Sequence, residues 1–361
     1  MIRAWFERTL SDPQTLLLLV LLGAGVALII FLGGTLFPLI AALVIAYVLQ
    51  GGVNRLERRG VPHILSVSVV FVLFLAGAFF VLFALMPLLV RQVTELAQQI
   101  PAMIQEAQAH LMRLPQAYPE LITTNQVQRV IQSLRAEILS TTQWFVSFSL
   151  ASVVAVATMF VYFILVPVLV FFLLKDRRRI LDWLAGFLPH ERDLARTVWT
   201  EVNSQFARYI RGKFWEIIIV AVVTYTTFTL LGLNYAALLG AVTGLSVLIP
   251  YIGAATVTFP VAIVAYFQWG VSWDFGYVVA AYGVLQALDG NLLAPLLLGN
   301  AVNIHPVAVI AAILFFGAIW GFWGVFFAIP LAVVIQAVLR AWPRYRPVTP
   351  AEAADASSDA A

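Results

Sequence analysis

The sequence predicts an all-α membrane protein that crosses the bilayer several times. Its 361 residues are 62% hydrophobic and 11% charged, with a mean hydropathy of +0.95, whereas soluble domains carry roughly 25% charged residues. Long intervals without Asp, Glu, Lys or Arg alternate with short basic clusters, which is the pattern of transmembrane helices and their loops. Glycines and prolines interrupt such intervals in the C-terminal half, which predicts broken or re-entrant helical elements there.

The composition also narrows the function classes. The chain has no cysteine, so it lacks thiolate metal sites, disulfides and cysteine nucleophiles. Its formal net charge is +3, and the basic residues cluster between apolar runs, which favours membrane orientation over nucleic-acid binding. A phosphate-binding loop of the GxxxxGK[ST] type is missing, which disfavours an ATP-driven pump. We therefore predict membrane lipid as a partner, no nucleic acid, no metal and no cofactor.

Residues 1–90 are predicted to hold the N-terminal transmembrane helices. The interval between Asp12 and Arg55 contains no charged residue and is divided by Gly33, Gly34 and Pro38. The first apolar run is too long for the core of a signal peptide, so we expect it to remain as a span. The predicted segments are helices at 14–33 and 36–50, a basic loop at 51–62 and a third helix at 63–90.

Residues 91–143 differ in kind, because apolar side chains recur there every three or four positions among polar ones. This period predicts an amphipathic helical hairpin, interrupted between Pro115 and Pro119. The simplest interpretation is a solvent-exposed hairpin that packs on itself or on the membrane surface. Binding of a partner or a second subunit is the alternative.

The distribution of basic residues predicts the orientation. A transmembrane helix at 144–174 precedes a basic connector at 175–213, which has nine Lys and Arg residues against five acids. If this connector, the loop at 51–62 and both termini face the cytoplasm, that side holds 17 of the 21 Lys and Arg residues. The positive-inside rule then places both termini in the cytoplasm and the amphipathic hairpin on the extracytoplasmic side.

Residues 214–342 are predicted to form a C-terminal transport unit that contains broken elements. A span from Phe214 to Gly232 is followed by two apolar stretches with internal Gly and Pro residues. The first stretch, 234–268, is interrupted at 249–253; the second, 306–342, is interrupted at 317–324 and again at Ile329 and Pro330. The segments GLSVLIP (244–250) and GVFFAIP (324–330) share Gly, Ile and Pro at equal spacing, as an internal repeat would. The tail at 343–361 is predicted to be disordered.

Asp289 is the main candidate for a functional residue. No other Asp, Glu, Lys or Arg occurs between Asp274 and Arg340, and an ionisable side chain at membrane depth is a functional candidate by default. Gln286 and Asn291 extend this polar patch. The carboxylate would couple a proton or cation, or accept a hydrogen bond from a polar solute. The alternative is that it caps backbone near Gly290.

The remaining candidates for a substrate or ion pathway lie at helix breaks. Breaks expose carbonyl and amide groups to a solute, although close helix packing is the alternative for the small residues. A histidine before a proline occupies a turn, where its near-neutral pKa would suit a proton relay or where it is simply solvated. These candidates are Pro250, Tyr251, Gly253, Pro295, His305, Gly324 and Pro330.

Several motifs carry a resemblance to a known family. They are LLKDRRR (173–179), YIRGK (209–213), the IPYIG break (249–253), QALDGNLLAP (286–295) and GFWGVFFAIPLA (321–332). Together they resemble the autoinducer-2 exporter family of bacterial membrane proteins, in particular its permease-type members. The resemblance covers nearly the whole chain apart from the tail.

The resemblance implies about eight transmembrane helices, an inner-membrane location, assembly into homo-oligomers and a transport role. Family members are associated with export of the autoinducer-2 signal or with sodium(lithium)/proton antiport. We therefore predict a secondary transporter, not an enzyme, that exports a small polar solute or exchanges a cation for protons.

Two other function classes remain as alternatives to transport. One is a non-transporting oligomeric scaffold. The other is an intramembrane protease with Ser246 as nucleophile and His63 or His305 as base, which is disfavoured because the sequence shows no HExxH motif and no pair of intramembrane acids.

Overall fold

The computed structural model describes residues 23, 36–112, 152–187, 193–250, 252–299 and 305–341. All regular elements in these ranges are helical, which confirms the all-α class. Five apolar helices in this part of the chain are long enough to cross a bilayer: Phe37–Glu57, His63–Ala109, Val202–Leu230, Ile252–Trp269 and Trp273–Leu298. Shorter apolar helices accompany them, so the chain is a multi-pass membrane protein. The predicted helix at 14–33 apart from residue 23, the second half of the amphipathic hairpin and the tail lie outside the described residues.

The described helices belong to two compact units. The larger unit contains residues 32–185 and 207–303, and the smaller unit contains residues 1–31, 186–206 and 304–361. In the larger unit, α1 (Phe37–Glu57) packs against α2 (His63–Phe80) and α4 (Ser152–Lys175). Their shared core consists of small and branched side chains, which allow close helix approach: Ala42, Ala46, Val53, Val67, Val70, Val170 and Leu174.

Two predicted boundaries in the N-terminal half are wrong. Helix α1 continues through Gly51 and Gly52 to Glu57, because these glycines face Arg211 and Val70 and serve close packing rather than a chain break. The loop is therefore 58–62. Helix α2 likewise continues through a π-helical turn at Val81–Leu85 into α3 (Met86–Leu111), so the helix does not end at residue 90.

The basic connector is largely helical. After α4 come the short α5 (Arg177–Ala185) and the long α6 (Asp193–Leu230). The second part of the connector predicted at 175–213 and the span predicted at 214–232 therefore belong to one helix, α6. The charged residues in the first half of α6 change its composition, but they do not interrupt its backbone hydrogen bonds.

The predicted interruption near 249–253 is confirmed. Helix α7 (Ala236–Ser246) and helix α8 (Ile252–Trp269) are separated by a turn. At the open end of this pair, the Gln268 side chain accepts a hydrogen bond from Asn234 N at 2.8 Å and donates one to Gly232 O at 2.8 Å. At the closed end, Gly253 lies against the Ser246 carbonyl group. The two helices thus form an antiparallel hairpin, and α7 is only about 16 Å long against about 30 Å for a bilayer core.

The helix that carries Asp289 follows this hairpin. Helix α9 (Trp273–Leu288) begins at Ser272, whose side chain accepts a hydrogen bond from Phe275 N at 3.3 Å as an N-cap. A π-helical turn (Asp289–Leu293) connects α9 to α10 (Ala294–Leu298). The core that joins α9 to α6, α7 and α8 includes Phe228, Leu239, Val257, Val261, Val264, Val278 and Tyr282.

The amphipathic part of α3 packs against the hairpin of α7 and α8. The Gln92 side chain accepts a hydrogen bond from Leu238 N at 2.7 Å, and Leu96 packs on the core that contains Leu239. The first half of the predicted amphipathic hairpin is therefore attached to the C-terminal helices.

The smaller unit contains a second helical hairpin, which consists of α11 (Pro306–Trp320) and α12 (Phe322–Ala341). The chain turns at Gly321, where φ is +58°, a conformation that glycine adopts without strain. Close approach at the turn is allowed by Gly324, which lies against the Phe316 carbonyl group. The predicted interruption at 317–324 is therefore confirmed.

The second interruption, predicted at Ile329 and Pro330, is wrong. Helix α12 runs through Pro330, which is buried inside it. A proline removes a single backbone donor, and membrane helices accommodate this loss by a local adjustment. The equal spacing in GLSVLIP and GVFFAIP therefore does not give equal structures, because Pro250 lies in a turn and Pro330 lies within a helix.

We expect Gly253→Ala to destabilise the hairpin of α7 and α8, because its Cβ would overlap the Ser246 carbonyl group. The midpoint of thermal unfolding in detergent should fall by roughly 5 °C or more. The control is Gly283→Ala on α9, where an added Cβ meets no atom within 4 Å and alanine favours the helix. Equal midpoints for the two variants would show that the hairpin does not depend on this contact.

Candidate functional site

A buried ion pair lies on α6, inside a candidate membrane span. The Lys213 and Glu216 side chains are one helical turn apart and are 7% and 2% exposed. The Lys213 Nζ atom lies 2.9 Å from Glu216 Oε1 and 2.9 Å from Glu216 Oε2. Because a buried charge is costly unless it is paired, these two residues stabilise each other within apolar surroundings.

The Lys213 ammonium group also holds the turn between α7 and α8. Its Nζ atom donates a hydrogen bond to the Val247 carbonyl oxygen at 2.9 Å. Val247 directly follows the last residue of α7, where a helix leaves carbonyl groups without partners. An ammonium group has three donors, so one side chain can serve both the Glu216 carboxylate and the broken backbone.

Two glycines bring α7 close enough to α6 for this contact. A Cβ at Gly240 would lie 2.9 Å from Tyr225 N, and a Cβ at Gly244 would lie 2.7 Å from the Ile217 carbonyl oxygen. Glycines four residues apart share one helix face and allow two backbones to approach closely. The spacing of Gly240 and Gly244 therefore sets the distance between Lys213 and the turn.

Asp289 lies within electrostatic range of this ion pair. It begins the π-helical turn, and its Oδ1 atom is buried with no hydrogen-bond partner among the described residues. The charges of Lys213 and Glu216 both act on its neighbourhood electrostatically. Close packing of α6 on α10 brings the helices together, since a Cβ at Gly212 would lie 2.8 Å from the Leu297 carbonyl oxygen. The Lys213 ammonium group thus pairs with the Glu216 carboxylate and acts electrostatically on a second carboxylate, that of Asp289.

The polar patch predicted around Asp289 is divided. The Gln286 Nε2 atom donates to the Tyr282 hydroxyl at 2.7 Å, and that hydroxyl donates to the Ala254 carbonyl oxygen at 3.2 Å. Gln286 is therefore engaged in a chain of hydrogen bonds to α8. The Asn291 Nδ2 atom donates to the Ala287 carbonyl oxygen of its own helix at 2.8 Å.

The other sequence candidates in the larger unit lie near helix ends. Pro250 is in the turn after α7, Gly253 packs against Ser246, and Pro295 stands at the start of α10. For Gly253 this contact matches the alternative of close packing. Tyr251 lies outside the described residues.

The three candidates in the smaller unit lie at a helix cap, at a turn and inside a helix. His305 caps α11, where its Nδ1 atom accepts a hydrogen bond from Val307 N at 3.3 Å. Gly324 packs at the turn between α11 and α12, and Pro330 is buried inside α12.

The groups considered for an intramembrane protease are engaged elsewhere. The Ser246 hydroxyl donates to the Thr243 carbonyl oxygen at 2.7 Å. The two ring nitrogens of His63 lie 2.5 Å from Glu57 Oε1 and 3.1 Å from the Lys175 carbonyl oxygen, so His63 is not directed at Ser246.

Sequence reasoning missed Lys213 and Glu216. Lys213 follows Arg208 and Arg211, so the sequence pattern places it in the basic connector. The predicted absence of a pair of intramembrane acids is also wrong, because Glu216 lies in a candidate span, as Asp289 does. The available signal was the Lys-x-x-Glu spacing at the beginning of an apolar run, since charges three residues apart on a helix can pair.

Ionisable residues buried beside broken helices are characteristic of membrane transport proteins. The family model described as "AI-2E family transporter" matches residues 16–344. The chain is 43% identical over 343 residues to the protein named "Putative permease PerM" in Escherichia coli. The aligned region covers 95% of this chain and 97% of that relative.

More distant relatives have names of the same kind. The chain is 28% identical over 315 residues to "Putative transport protein YueF" of Bacillus subtilis, with 86% of this chain and 84% of the relative covered. It is 27% identical over 316 residues to "Putative transport protein YrrI" of the same organism, with 86% and 87% covered. This chain belongs to the AI-2E family of membrane transporters.

We expect Lys213→Met to destabilise the larger unit, because Glu216 would be left buried without a counter-charge. Removal of one partner from a buried pair costs about 3–5 kcal/mol, and the midpoint of thermal unfolding should fall accordingly. Lys213→Met combined with Glu216→Gln should recover most of this loss. Arg91→Met is the control, since its pair with Glu95 is exposed. Additive losses in the double variant would contradict the proposed pairing.

Proposed function

We propose that this chain is a secondary transporter in which Asp289 and Glu216 bind the coupling ion, a proton or a monovalent cation. The observation that carries this proposal is the buried ion pair of Lys213 and Glu216 together with Asp289, which has one buried carboxylate oxygen and interacts electrostatically with the pair. With both acids ionised, the cluster has a net charge of −1. One proton or one monovalent cation balances that charge.

Binding of an ion at this site changes its net charge and therefore its electrostatic energy. An uncompensated charge in a buried site costs several kcal/mol, so the cluster favours states in which its net charge is zero. When an ion neutralises either carboxylate, the Lys213 ammonium group is free to pair with the other. Because the same ammonium group holds the Val247 carbonyl oxygen, a change of partner also changes how firmly the turn between α7 and α8 is held.

The short hairpin supplies the part of the fold that such a change can move. Helix α7 is too short to cross a bilayer core, and its turn lies beside the charged cluster. Broken helices whose ends meet bound ions are the usual construction of transporter sites. In this mechanism the coupling ion binds at Asp289 and Glu216, and the hairpin is the element that responds to it.

The transported species is either a small polar solute that is exported with ion coupling or a cation that is exchanged for protons. The excess of carboxylates supports a cation or proton as one of the transported species. The distribution of Lys and Arg residues supports an orientation with both termini in the cytoplasm, and the family resemblance supports a bacterial inner-membrane location. Assembly into a homo-oligomer belongs to the same proposal through the family resemblance.

Asp289→Asn should abolish coupling, because the amide cannot take up a proton or balance a cation. We expect at least a tenfold lower flux in proteoliposomes under an imposed pH or sodium gradient, and a similar loss for Glu216→Gln. The matched control is Asp274→Asn, which makes the same change at an exposed position near the start of α9 and should leave flux unchanged.

Each outcome of this experiment decides between the function classes. Undiminished gradient-driven flux in Asp289→Asn would show that the carboxylate does not couple transport. If the wild-type protein moves neither ions nor the autoinducer-2 signal molecule under any gradient, the scaffold alternative is supported instead.

A further inference from the structure

A cluster of basic residues in the larger unit is not used by the proposed transport mechanism. It lies at the end of α1, in the loop that follows α1, and at the junction of α4 and α5. We call it the basic rim, and its exposed members are Arg55, Arg58, Arg59, Lys175, Arg178 and Arg179.

His63 assembles the basic rim from segments that are distant in the sequence. One ring nitrogen contacts Glu57 Oε1 at 2.5 Å, and the other lies 3.1 Å from the Lys175 carbonyl oxygen. The first contact joins the start of α2 to the end of α1, and the second joins it to the end of α4. Glu57, an acid within the rim, is thereby engaged by His63. Asp176 and Asp182 also lie near the junction of α4 and α5, but the six exposed basic residues outnumber these acids, so the rim keeps a net positive charge.

Helix α5 adds an apolar stripe to the basic rim. One face of α5 is apolar, because Ile180 is followed three and four positions later by Trp183 and Leu184. Arg178 and Arg179 directly precede these residues. Trp183 is 64% exposed and Leu184 is 49% exposed. A short helix with arginines on one side and a tryptophan and aliphatic residues on the other is typical of a helix that lies in the membrane interface.

We propose that the basic rim and α5 bind the headgroup of an anionic phospholipid. The arginines complement the lipid phosphate in charge and geometry, and the apolar stripe inserts beside the acyl chains. The rim stands at the ends of α1 and α2, both long enough to span a bilayer, and headgroups lie at the ends of spanning helices. A free phosphate ion would bind the arginines, but it has no acyl chain that could pack against Trp183.

The test measures binding of phosphatidylglycerol to the full-length protein. The protein is reconstituted in phosphatidylcholine nanodiscs, and a fluorescent phosphatidylglycerol is titrated. Arg178→Gln combined with Arg179→Gln should weaken binding by on the order of tenfold, since each basic residue near an anionic surface contributes to attraction. Trp183→Ala should weaken binding to a smaller extent, and added salt should weaken binding to the wild-type protein.

Arg91→Gln is the matched control. Arg91 is exposed on the continuous helix that begins at His63, about 42 Å along the axis from the basic rim. Equal weakening by Arg91→Gln, or unchanged binding in the double variant, would overturn the proposal. Competition by glycerol phosphate at the same concentration as the lipid would also overturn it, because that result would identify a site for free anions. These outcomes do not depend on whether the protein transports an ion.

Discussion

The Lys213 ammonium group is buried, where an unpaired charge is energetically unfavourable. Groups from three parts of the larger unit compensate its charge or accept its hydrogen bonds. Glu216 supplies the opposite charge on the same helix, and the Val247 carbonyl oxygen supplies an acceptor from the end of α7. Asp289 supplies a second negative charge from the π-helical turn after α9. These contacts require α7 and α10 to approach α6 closely. The glycines that face neighbouring backbones at these crossings make that approach sterically feasible, so packing and electrostatics depend on each other.

The charged cluster and the helical hairpin are two aspects of one arrangement. A helix that ends within apolar surroundings leaves carbonyl groups that need donors, and Lys213 meets that need at Val247. In the proposed mechanism, ion binding at the carboxylates changes the partners of the same ammonium group and thereby its hydrogen bond to the turn. The amphipathic start of α3 is attached to the opposite end of this hairpin through Gln92, so the hairpin is held by hydrogen bonds at both ends.

The candidate site could be predicted only in part. Asp289 stands alone in a long apolar interval, so a scan of charge along the sequence finds it. Lys213 stands beside Arg208 and Arg211, and the same scan assigns it to a solvated loop. Arg91 misleads in the same way, because a charged residue that changes the composition of a helix need not end it. Whether a charge is solvated depends on the neighbouring helices, which local composition does not describe.

The sequence alone determined the all-helical membrane class, the family and the interruptions near 249–253 and 317–324, because hydropathy, glycine and proline act locally along the chain. It also singled out Asp289 as a candidate. The tertiary structure decided that Pro250 lies in a turn whereas Pro330 lies within a helix. It also decided that Lys213 and Glu216 form a buried ion pair within electrostatic range of Asp289. The approach of Asp289 to this pair depends on how α6 packs against α10. Such packing is set by side-chain volumes at the contacting faces, which no local pattern encodes.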